Sequence, residues 1–149
     1  MRNARCCRTT PRLTTRLEDL AAALRAGASG LYAAEAAVGL LIGHGRWLDR
    51  NDFVGGFVGT GVSLSDDTPM AWVDWQAAVA ALEAGRLPCS SSEAGLLRVA
   101  ASIVEGVPVD LRDAVGGLDQ TNLVLVARAV AHAGGHRDPV VALGQGVGR

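Results

Sequence analysis

The sequence predicts an all-α fold, a compact bundle of about six helical segments arranged as two related units that share a central helix. Three observations carry this. Apolar residues recur at spacings of three and four, and strand-like alternation is scarce. In addition, the stretch DFVGGF at Asp52–Phe57 returns as DAVGGL at Asp113–Leu118.

The elements follow in order. Leu13, Leu17, Leu20 and Leu24 form one apolar stripe, so a helix is expected over about 13–26, closed by Gly27. A second helix is expected over 32–48, with Val38, Leu41, Ile42 and Leu48 inward and Gly39 and Gly43 sharing a face. A short helical turn at 51–57 leads into VGTGVSLSDDTP, which reads as a loop. Thr68 then suits an N-cap, Pro69 a first helical position, and Asp66 and Asp67 the positive end of the helix dipole. A third helix is expected from Pro69 to Ala84, with Trp72, Trp75, Val79 and Leu82 in one stripe. Being apolar on most sides, it is the expected central helix.

Ser90 and Glu93 spell a capping box for a fourth helix, with Leu96, Leu97, Ala100, Ile103 and Val104 inward and a stop at Gly106. A short turn at 110–115 precedes a last helix over 119–133, capped by Asp119 and ended by Gly134 and Gly135. Leu123, Val126, Ala127 and Val130 are expected on one side of it, Arg128 and His132 on the other. Residues 1–11 read as a disordered basic tail, 12–135 as a single helical domain and 136–149 as a flexible Gly-rich tail.

The repeat extends beyond the opening motif. AALRAG at Ala22–Gly27 matches AALEAG at Ala80–Gly85, and in the same register Glu35–Ala36 falls on Glu93–Ala94. A three-residue shift then aligns Asp49 with Asp110 and Asp52 with Asp113. The expected units are 13–62 and 69–135, each with an Asp capping its short helix and paired glycines freeing the backbone after it.

Composition narrows the function classes. With 149 residues and 49% hydrophobic content, the chain can build one core, while its 19% charged residues fall below the usual value of about 25%. The net charge of −1 gives no general attraction to nucleic acid or anionic membrane. Every basic residue is Arg, as GC-rich coding would produce. Three cysteines, two of them adjacent, do not make a disulfide framework, and a cytoplasmic setting is expected. The N-terminal stretch has neither the apolar run of a signal peptide nor a membrane anchor.

Chemistry-bearing patterns are sparse. Cys6, Cys7, His132 and His136 could be gathered as metal ligands, but Gly134 and Gly135 break the helix that would align the histidines. Cys89, just before a helix start, could pair with His44 as an activated nucleophile. Asp49, Asp52, Asp110 and Asp113 fit helix capping better than acid–base work. The stretch from Val109 to Val130 resembles a helix-turn-helix, with Gln120, Thr121 and Asn122 able to read base edges, yet Arg128 is the recognition helix's sole cation. No phosphate-binding glycine loop is written.

The segment PVDLRDAVGGLDQTNLVLVARAVAHAGGHR resembles the end of small Ala/Arg-rich helical proteins of high-GC actinobacteria. That resemblance implies a host group and a cytoplasmic setting, and no activity.

The expected function is a small non-enzymatic interaction or adaptor protein, able to form a homodimer. Trp72, Trp75, Arg128 and His132 are its candidate interaction residues. No catalytic residue, cofactor or metal is expected, and the expected partner is a protein or a second copy; nucleic acid and membrane are disfavoured. The rivals are a helix-turn-helix-like DNA-binding regulator and an enzyme with its site around Cys89.

Overall fold

A computed structural model describes residues 11–136, which form seven helices and one two-stranded sheet. The two expected tails, and with them Cys6 and Cys7, fall outside the described residues apart from Pro11 and His136. Pro11 is the first helical residue of α1, and the His136 amide bonds the Ala131 carbonyl at 2.9 Å.

Helix α1 spans Pro11–Ala28 and α2 spans Tyr32–His44. Gly27 does not end α1, as the stripe suggested. It stays helical and serves close packing, since a Cβ there would overlap the Ala71 carbonyl; the left-handed residue is Gly30, at φ 90°. Helix α2 stops at left-handed Gly45, four residues before the expected end. The chain then turns through Trp47, whose indole is buried and donates from Nε1 to the Glu93 carbonyl at 3.1 Å. Phe53 packs against this indole with ring centres 5.1 Å apart.

Helix α3 is the short helix Asn51–Phe57. The expected loop and the start of the expected third helix are instead a hairpin: β1 (Val58–Val62) pairs antiparallel with β2 (Pro69–Val73). Thr68 and Pro69 therefore do not begin a helix. Pro69 sits at the first position of a strand, where a missing N–H is tolerated. Ser63 and Thr68 close the turn by a 2.9 Å backbone bond, and Asp67 takes the left-handed conformation at φ 54° that Asp tolerates. Ala71 and Val73 are buried on one face of β2 and Trp72 points to the other, which is the two-residue period of a strand.

Helix α4 (Trp75–Glu83) is capped by Asp74, which accepts from the Ala77 amide. Helix α5 (Ser91–Glu105) begins with the expected reciprocal capping box between Ser90 and Glu93 and ends at left-handed Gly106. Helices α6 (Leu111–Gly116) and α7 (Gln120–Ala133) start at Asp110 and Asp119, whose carboxylates accept backbone amides of their own first turns.

The central element is α2, not the helix around Trp75. It packs on α1, α5 and α7, and Ala36, Ala37, Val38, Leu40 and Leu41 are all buried. With Tyr32, Glu35 and His44 as its only polar side chains, α2 is apolar enough to be covered on three sides.

The doubled motifs are both helical at their start but are used differently. Asp110 is the N-cap of α6, whereas α3 begins after Arg50 with no side-chain cap, and Asp52 instead chelates Arg50. Neither glycine pair takes a positive φ. Phe57 leads into a strand and Leu118 into a helix.

Candidate functional site

Helix α7 presents Leu125, Arg128 and His132 along one flank, at spacings of three and four. That flank, the outer side of α2 and the end of α1 enclose a cleft of about 510 Å³. Arg128 and His132 are thus brought together, joined by Arg25 and Glu35, which sequence reading missed. His132 Nε2 lies 2.8 Å from Glu35 Oε2, and the other Glu35 oxygen accepts the Gly30 amide at 3.0 Å. Tyr32 meets the imidazole edge-on, with ring centres 5.9 Å apart. Glu35 therefore ties the α1–α2 turn to the last turn of α7. Its place in the first turn of a helix was the available signal; for Arg25 the sequence offers none.

Some of the described arginines are ion-paired and others are not. Arg50 pairs with Asp52 at 2.6 Å and Arg98 with Glu83 at 2.7 Å. Among the described residues Arg25 and Arg128 form no ion pair, and both line the cleft. Gly39 lines it too; a Cβ built there would meet nothing within 4 Å.

Trp72 and Trp75 separate. Trp75 is the first residue of α4 and is 4% exposed, so it belongs to the core and not to an interaction surface. Trp72 is 56% exposed on the outer face of the hairpin. It stands opposite Gly59 and diagonal to Gly61. A Cβ on Gly59 would lie 2.5 Å from the indole, and one on Gly61 would lie 3.3 Å away. The two glycines let the ring lie against the strand backbone. Val62 and Leu64, at the turn end of the hairpin away from the Trp72–Gly59 pair, are also exposed.

The other expected sites fare differently. Cys89 is half-buried, and burial pushes its thiol pKa up, the reverse of a helix-start activation. His44 lies at the end of α2; burial lowers its pKa, and its Nδ1 is buried with no hydrogen-bond partner. Among the described residues no hydrogen bond joins the two. Asn122 is buried at the start of α7, bonded to Ser92 and Asp119. Val126 faces the core, while Leu123 and Val130, expected beside it, are exposed. Among the described residues no group of three His, Cys, Asp or Glu is placed to hold a metal, and no helix is long and apolar enough to cross a membrane.

No family model, curated protein or solved structure matches the chain.

Proposed function

We propose that the protein is a non-enzymatic interaction protein that offers the hairpin face around Trp72 to a protein partner or to a second copy of itself. One observation carries this reading. A tryptophan stands outward on a strand, opposite a glycine, Gly59, that has no room for a side chain beside the ring. A half-exposed indole is the residue type enriched among those that dominate binding energy at protein interfaces. The reading takes the setting as cytoplasmic and includes the two-unit origin that the doubled motif suggests.

The rivals have less support. For DNA reading, Asn122 is committed to Ser92 and Arg128 lies in the cleft, which leaves Gln120 and Thr121 at the head of α7. For nucleophilic catalysis, Cys89 is shifted away from its thiolate.

The test is affinity capture from the native host with three baits: the wild type, Trp72→Ala and the surface control Arg86→Ala. The partner should be retained by the wild type and the control and lost with Trp72→Ala. Equal capture by all three would remove the basis of this reading. Sedimentation velocity of the same proteins reports self-association.

A further inference from the structure

The cleft between α1, α2 and α7 shares no lining residue with the Trp72 face and calls for its own explanation. At about 510 Å³ it falls within the range of small-molecule sites, roughly 300–1,000 Å³. Its walls are of two kinds. Leu125, with alanines and aliphatic residues of α2, makes an apolar surface. Arg25 and Arg128 supply two guanidinium groups from different helices, neither paired with an acid among the described residues.

Among the described residues the one acid lining the cleft is already engaged. Glu35 accepts the Gly30 amide with one oxygen and meets His132 with the other. Among the described residues, two guanidinium groups face one carboxylate in the lining, which leaves it net positive. Guanidinium groups favour carboxylate and phosphate, which their planar donor forks match. Gly39 keeps the α2 wall open where a side chain would fit without collision.

We infer that this cleft binds a small amphipathic anion, its carboxylate or phosphate held by Arg25 and Arg128 and its apolar body laid against Leu125. Glu35 and His132 brace the walls, since their contact joins α2 to α7. The shared chemistry is one anionic head on an apolar body; whether the head is carboxylate or phosphate is separated by the probes.

The experiment is calorimetric or NMR titration of the full chain with octanoate, octyl phosphate, inorganic phosphate and octylammonium. At least one of the two amphipathic anions should bind in the millimolar range or tighter. Inorganic phosphate and octylammonium should each bind at least about tenfold more weakly, since removing either the apolar body or the matching charge removes about 1.4 kcal/mol or more. Arg128→Gln and Arg25→Gln should each weaken the anion by about tenfold or more, the scale of a charge-assisted hydrogen bond. Gly39→Leu should block binding while leaving the melting temperature unchanged or raised, because it fills open space and favours helix. Failure of both anions to bind overturns the inference. So does octylammonium or inorganic phosphate binding as tightly as the better anion, or affinity that survives both Arg128→Gln and Gly39→Leu.

Discussion

The carboxamide of Asn122 donates to the Ser92 hydroxyl at 2.7 Å, fixing the first turn of α7 on the first turn of α5. The same amide group reaches Asp119 Oδ2 at 3.0 Å, and Ser92 accepts the Asp119 amide at 3.2 Å. Two helix starts share one polar joint. Asn122 is 5% exposed, so deleting its side chain removes both hydrogen bonds and opens a gap in the buried side of the joint. Asn122→Ala should cost about 1–3 kcal/mol in urea unfolding with an unchanged m-value. A loss below a few tenths would mean the joint is not formed in solution.

Glycines in helices should respond in opposite directions. A Cβ on Gly95 would lie 2.6 Å from the Ala114 carbonyl oxygen, so Gly95→Ala must push α6 off α5. The expected cost is about 1–3 kcal/mol, the usual scale of overpacking. Gly55 in α3 has nothing within 4 Å of a built Cβ. Gly55→Ala should gain about 0.5–1 kcal/mol from helix propensity alone. The reverse ranking in thermal melts would contradict both placements.

His44 gives a pH dependence with a definite sign. Burial holds its folded pKa below the ordinary 6.5. Between the folded and unfolded values the unfolded chain binds more protons, so stability rises with pH there. The contribution is complete above about 6.5 and is lost as pH falls toward the folded pKa. Urea midpoints of the wild type should drop between pH 7 and pH 5 more steeply than those of His44→Asn. Parallel curves would remove His44 as the cause.

Cys89 should be a slow thiol. Burial raises its pKa, so at neutral pH less of it is thiolate than of a free cysteine. Peptide mapping after timed iodoacetamide treatment should show Cys89 alkylated more slowly than glutathione, with the difference abolished in urea. Faster alkylation would restore the nucleophile reading.

Much of the helical architecture was legible because capping is local chemistry. Ser90 with Glu93, and Asp119 before α7, act across three residues and need no tertiary context. The hairpin was not legible for a specific reason. Trp75, Val79 and Leu82 are a true buried stripe of α4, and Trp72 falls three residues earlier, so it extends the pattern by accident. The real start signal was Asp74, whose carboxylate caps the Ala77 amide. The strand signal was the alternation of Ala71 and Val73 with Met70 and Trp72, too short to outweigh a helical stripe. The cleft was half legible. Arg128 and His132 share a helix flank and could be paired from spacing, but Arg25 and Glu35 reach them only through the packing of α2 against both α1 and α7.

The central claim is that Trp72 is a contact surface and that Trp47 and Trp75 are core. Protein carrying 5-fluorotryptophan gives one fluorine resonance for each of the three tryptophans, assigned by single Trp→Phe variants. Alone in dilute buffer, the Trp72 resonance should show the largest solvent-isotope shift, matching its 56% exposure against 1% for Trp47 and 4% for Trp75. On addition of native host extract, or on raising the protein concentration if the partner is a second copy, the Trp72 resonance should move or broaden and lose its solvent shift. The Trp47 and Trp75 resonances should stay in place. A Trp72 resonance that keeps its solvent shift under both conditions would contradict the account.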